Sequence, residues 1–174
     1  MIIIFTIIWA IGFYWFTAVN QSMRHHIAYG IVCLLFLIAN VTAFVFHDNY
    51  HFGMTTQSTV KTQQLASLSP QVKLLAYRSL GNGQEKVYVY KTANSDKTRH
   101  TKADTNVSTK VTTTTGQPEL KITTTKYQYA NTLSRLMFGI LGTNHETKSV
   151  NYHFYVNANW LVLNSNQLQQ MTKQ

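Results

Sequence analysis

Two long stretches without a formal charge fix most of what this chain can become. From Met1 to Val19 no side chain is ionised at neutral pH, and Ile2, Ile3, Ile4, Ile7, Ile8, Trp9, Ile11 and Trp15 carry the apolar run. Ile27 to Phe46 is a second run of similar length, with Asn40 and Thr42 as its polar members and Gly30, Cys33 and Ala39 as its small ones. At about 1.5 Å per residue each reaches across a hydrocarbon core of roughly 30 Å. The seven residues Asn20 to His26 between them leave room only for a tight antiparallel loop. The expectation is a transmembrane hairpin over 1–54, with helices at about 1–19 and 27–46, followed by a separate domain over 55–174.

Two rivals lose on the same residues. A secretory signal would want basic residues before the apolar core and a small-x-small cleavage site after it. This run is apolar from Ile2 and ends Thr17-Ala18-Val19-Asn20, so it is expected to be retained. A buried helix pair in a soluble protein rarely shows apolar runs this long. The mean hydropathy of −0.11 hides the runs because it averages two unlike parts.

Charge is just as unevenly placed. The chain has 15 Lys or Arg against 6 Asp or Glu, a formal net charge of +9. Arg24 and Asp48 cancel within the first third, so the whole excess lies from Thr55 onward. Arg24, flanked by His25 and His26, sits in the loop between the runs, whereas no Lys or Arg follows the second run until Lys61. Bases near helix ends favour the cytoplasmic side. This predicts a cell-membrane protein with two passes, a cytoplasmic loop, and both termini and the basic domain outside the cytoplasm. The one cysteine, Cys33, excludes a disulfide-stapled scaffold.

The segment after Met54 reads as a mainly antiparallel β domain, a sandwich or an open barrel, rich in Thr and Tyr that suit pleated, half-buried surfaces. Val72–Leu80 and Glu85–Thr92 flank Asn82-Gly83, a hairpin signal. Ala93–Asp104 is polar and basic and reads as an exposed loop. Val107–Thr115 and Leu120–Tyr129 flank Gly116-Gln117-Pro118 and read as a second hairpin, with Leu120, Ile122 and Thr124 on one face. Lys148–Val156 and Trp160–Leu163 read as a third, and Ser165–Met171 as a closing helix. Within Asn131–Gly142, Leu133, Leu136, Met137, Ile140 and Leu141 fall on one helical face. Such a stripe commonly covers a sheet; the alternative is a short helix on the lipid surface, helped by Arg135.

His47-Asp48-Asn49-Tyr50-His51-Phe52-Gly53-Met54 is the most distinctive octapeptide. If the second helix runs one turn past Phe46, His47 and His51 take the i,i+4 spacing of a divalent-metal pair, with His145 or His153 as further ligands from the fold. The plainer reading is an interfacial collar, with Tyr50 and Phe52 at headgroup level, solvated histidines and Gly53 ending the helix. Stable metal sites need three or four ligands, so the collar is the favoured reading.

The hairpin, this collar, Val87-Tyr88-Val89-Tyr90-Lys91-Thr92, His100-Thr101-Lys102-Ala103-Asp104-Thr105-Asn106 and Asn159-Trp160-Leu161-Val162-Leu163 resemble an uncharacterised two-helix membrane-protein family of lactobacilli, known as a domain of unknown function. The resemblance implies a Gram-positive cell membrane and brings no activity, cofactor or catalytic residue with it.

Catalytic chemistry is poorly supplied. Glu85, Asp96, Asp104, Glu119 and Glu146 are the only acids after Met54, and none pairs with another at a spacing suited to general acid–base work. No Gly-x-Ser-x-Gly, glycine-rich phosphate loop or His-Glu-x-x-His occurs. Two helices before an outside β domain are similar in plan to the copper-carrying subunit of respiratory oxidases, yet the β domain has no cysteine for such a centre. The sequence therefore favours a non-enzymatic, cofactor-free, membrane-anchored module with membrane lipid, a partner membrane protein or an anionic wall polymer such as teichoic acid as its contacts. Nucleic acid is not expected. The alternatives are a metal-binding accessory protein and a hydrolase assembled from loop residues.

Overall fold

The structure is a computed structural model that describes residues 1–20, 24–81 and 85–171. It divides into two compact units, one of Met1–Gln57 with Tyr127–Glu146, the other of Ser58–Lys126 with the chain from Thr147 on. The helical unit thus takes in a later segment, Tyr127–Glu146, that the linear division at residue 54 leaves with the β domain.

In the helical unit, α1 (Ile2–Tyr14) continues through a π-helical stretch, Trp15–Val19, and α2 spans His26–Tyr50. Both are long and apolar enough to cross a membrane. Three of their polar side chains turn back on their own helix: Thr6 Oγ1 donates to Ile2 O, Thr17 Oγ1 to Phe13 O and Asn40 Nδ2 to Phe36 O. Such local bonds satisfy groups for which a hydrocarbon surround offers no partner. Small residues set the seam. A Cβ on Gly30 would lie 2.9 Å from Thr17 Cγ2, and one on Gly12 would lie 3.1 Å from Cys33 Sγ, so each glycine lets the facing helix approach closely. Trp9 stacks on Phe36 across the pair at 4.5 Å. Outside this seam the side chains point outward: Ile2 is the only buried residue of α1, and Gly30, Cys33 and His47 are the buried ones of α2.

The strands are β1 (Met54–Ala66), β2 (Leu74–Leu80), β3 (Glu85–Thr92), β4 (Ser95–His100), β5 (Val107–Thr113), β6 (Glu119–Tyr129), β7 (Thr147–Val156) and β8 (Leu161–Asn164). They form one sheet in the order β5-β7-β6-β1-β3-β2-β8, with β4 on β3. The first expected hairpin is present, β2 against β3 with Leu80 opposite Glu85; its Asn82-Gly83 turn lies outside the described residues. Ala93–Asp104, expected to be a loop, supplies β4, which pairs antiparallel with β3. Thr101 beyond it is fully buried and exchanges bonds with Tyr88, accepting from its N–H at Oγ1 and donating its own N–H to the Tyr88 carbonyl.

The other two expected hairpins do not form. β7 lies between β5 and β6, parallel to β5 and antiparallel to β6, and β8 pairs parallel with β2 at the opposite edge. Gly116-Gln117-Pro118 carries the chain past the end of β7, where Asn157 Nδ2 donates to Gly116 O at 2.8 Å. A turn signal states that the chain reverses and is silent on which strand it then meets. The sheet is still mainly antiparallel. Ser58 bonds Thr125 and Leu65 N–H donates to Pro118 O, so numbers rise along β1 as they fall along β6.

The core lies on one face of this sheet, with Leu75, Leu120 and Phe154 almost completely buried and Leu65, Tyr88, Tyr90, Tyr152, Val156 and Trp160 around them. Alternation along β3 turns Tyr88 and Tyr90 inward and leaves Val87 and Val89 half-buried. Each large apolar side chain fully removed from water contributes about 1.5–3 kcal/mol. Alternation puts Val87 and Val89 of β3, and His153 and Tyr155 of β7, on the opposite face. The closing helix α4 (Ser165–Met171) forms as expected.

Candidate functional site: the histidine collar

α2 ends at Tyr50, and His51 takes the left-handed conformation with φ 56 and ψ 35. Its N–H donates to His47 O and that of Phe52 to Phe46 O, which closes the last turn. Gly53, expected to end the helix, follows with φ +79. Its role is close approach: a Cβ there would meet Ser134 Oγ at 3.0 Å and Phe138 Cε2 at 3.2 Å. Those residues belong to α3 (Thr132–Phe138), capped by Asn131 Oδ1 accepting from Ser134 N–H and continued by a 3-10 turn, Gly139–Leu141.

His47 is 1% exposed, in contrast to the solvated histidine of the collar reading. Its Nδ1 lies 2.6 Å from Phe52 O and its Nε2 lies 3.0 Å from Thr143 Oγ1. A carbonyl only accepts, so Nδ1 carries the proton; in the neutral ring Nε2 then accepts from the Thr143 hydroxyl. Tyr129 completes the network, its hydroxyl donating to Phe138 O at 3.2 Å and lying 3.4 Å from Thr143 Oγ1. The ring stacks on Phe138 at 4.1 Å. His47 thus ties the end of α2 to the 127–146 segment through Nε2 and one ring face, while Nδ1 holds the turn at Phe52 just past the helix.

His51 faces other partners. It stacks on Tyr127 at 3.7 Å, and its Nε2 lies 3.7 Å from Glu146 Oε2. A metal on the His47–His51 pair would have to displace Phe52 O or Thr143 from His47. His145 is exposed, has φ 65 and donates its N–H to Tyr127 O. His153 stands on β7 in the other unit. Among the described residues no group of three His, Cys, Asp or Glu is placed to hold a metal ion.

Thr143, Tyr127, Tyr129 and Glu146 were not picked out by sequence reasoning. The asparagine cap and apolar stripe of 131–142 marked α3, but nothing local marks Thr143 as the partner of a residue 96 positions earlier.

The polar sheet face holds the second cluster of interest. Lys110 and Lys121 stand in register on either side of His153. His153 Nε2 lies 2.8 Å from Thr112 Oγ1, its Nδ1 lies 3.1 Å from the Tyr155 hydroxyl, and its ring stacks on Tyr155 at 4.1 Å. Partial burial, and then the charges of Lys110 and Lys121, hold its imidazolium below the ordinary histidine range. Lys121 is held above the usual lysine range chiefly by its hydrogen bond to Glu119, at 3.1 Å. This is a cationic surface with hydroxyl donors between the charges. Its charge and hydroxyl groups are complementary to phosphate or carboxylate groups.

Residues 22–171 match the family model of a domain of unknown function, DUF4811. None of the curated proteins and none of the solved structures matches the chain.

Proposed function

The chain belongs to the DUF4811 family, and from this premise we propose that it is a non-enzymatic, membrane-anchored module whose β unit faces outward from the cell membrane of a Gram-positive bacterium and engages an anionic envelope polymer or a partner membrane protein. The observation that carries this reading is the outward display of apolar side chains by α1 and α2, with Ile7, Ile11, Ile27 and Leu35 all more than half exposed. Helices of this length and composition find a matching surround in lipid or against other apolar helices. The net charge of +9, concentrated after Thr55, supports an anionic partner, since attraction to polyanions persists over about 10 Å at moderate salt. Arg24 in the loop supports an outward β unit.

The test uses the full chain purified from its own membrane in mild detergent. Co-purification of a membrane protein, or salt-sensitive retention on immobilised teichoic acid that Lys110→Glu with Lys121→Glu weakens, is the expected result. A protein that emerges alone and ignores the polymer at low salt overturns the binding role. Labelling of a Lys61→Cys variant on intact cells by a membrane-impermeant reagent tests the orientation, and no labelling until the cells are opened reverses it.

A further inference from the structure

The helix α3 is turned inside out. Ser134 and Phe138 point inward to Gly53 and His47, whereas Leu133, Leu136 and Ile140, the stripe expected to cover a sheet, are 67%, 54% and 68% exposed. The inward face is committed to the collar, so the apolar stripe is left facing out. The Met1 nitrogen lies 3.0 Å from Leu136 O and 3.1 Å from Met137 O, which fixes α3 beside the first residues of α1. Between them runs a groove of about 350 Å³ whose lining includes Met1, Ile4, Arg135, Leu136, Gly139 and Ile140. Among the described residues no carboxylate pairs with the Arg135 guanidinium.

We infer that α3 lies in the headgroup layer of the bilayer and that its groove with α1 seats an anionic phospholipid, the acyl chain along Ile4, Leu136 and Ile140 and the phosphate on Arg135. Three observations point to lipid. The groove is continuous with the outward apolar surface of α1, since Met1 and Ile4 belong to both. The start of α1 and the end of α2 are at the same end of a hairpin, so α3, which touches both, stands at the boundary where the apolar spans begin. An apolar stripe with a basic residue beside it is the pattern of helices that lie in the membrane plane. An arginine at that depth meets phosphate, which its planar fork of donors fits.

This inference rests on the membrane-anchored reading, and the test separates the two. In the full chain, with Cys33→Ala removing the native thiol, single spin labels are placed by Leu136→Cys in α3, Ile140→Cys in the 3-10 turn that follows it, Leu35→Cys in α2 and Lys61→Cys in β1. The protein is reconstituted in vesicles of phosphatidylcholine and phosphatidylglycerol, and accessibility to oxygen is compared with that to a water-soluble nickel chelate. Labels at 136 and 140 are expected to favour oxygen as the label at 35 does, with that at 61 favouring nickel. Labels at 136 and 140 that follow 61 while 35 reads lipid overturn the inference and leave the anchor standing; a label at 35 that also reads water overturns the anchor. Phosphatidylglycerol retained by the detergent-solubilised protein is expected to fall about fivefold in Arg135→Gln, the ratio corresponding to about 1 kcal/mol for one basic residue at an anionic surface. Unchanged retention overturns the phosphate contact.

Discussion

The imidazole of His47 lies flat on the phenyl ring of Phe138, centroids 4.1 Å apart and planes 2° from parallel. One contact thereby joins the last turn of α2 to the last turn of α3, and both rings are buried. Phe138→Ala removes the stack and leaves a cavity, a loss of about 3–5 kcal/mol for a buried phenylalanine. The intact variant should melt well below the parent in detergent; an unchanged melting temperature would mean that the stack holds nothing together.

Thr143→Val keeps the shape of the side chain and removes the hydroxyl that His47 Nε2 meets at 3.0 Å. A buried acceptor left unpaired costs about 1–3 kcal/mol. Thr143→Ser retains the hydroxyl and should recover most of the loss. Equal melting temperatures for the valine and serine variants would show that the hydrogen bond contributes nothing.

The seam of the helix pair has its own test. Gly30→Val puts branched carbons where even a Cβ would come within 2.9 Å of Thr17, and overpacking of this kind costs about 1–3 kcal/mol. Ala39→Val, on an exposed part of the same helix, should leave the pair intact. Thermal unfolding of both variants in detergent separates them, and similar behaviour would place the seam elsewhere.

His153 gives the β unit a pH dependence of predictable sign. Its folded-state value lies below the ordinary 6.5, so at pH values between the two the unfolded chain binds the proton first. Stability from this residue is complete above about 6.5 and is lost as pH falls through the depressed folded value. His153→Gln, measured by unfolding across acid pH, should flatten that part of the profile. A wild-type profile that rises on acidification through this window would contradict the assignment.

The parts legible in the sequence are those fixed by local composition. Two uncharged runs define α1 and α2 because length and apolarity are read from neighbouring residues alone. The alternation Leu120, Ile122, Thr124 identifies the inward face of β6 because a strand has a period of two. The stripe 133–141 marks α3 for the corresponding helical reason.

What needed the tertiary structure is everything set by distant partners. The Gly-Gln-Pro turn was visible, but the insertion of β7 between β5 and β6 was not, because it is decided by packing residues such as Phe154 into a common core. The spacing of His47 and His51 was visible too. The Thr143 and Phe138 contacts of the one and the Tyr127 stack of the other come from a segment more than seventy residues away in the chain. The sequence by itself determined which segments are greasy, which are pleated and where the charge lies, since these are properties of neighbouring residues. Only the folded chain decided that α3 shows its apolar side outward and that His47 is enclosed, because both depend on which surfaces meet across the chain.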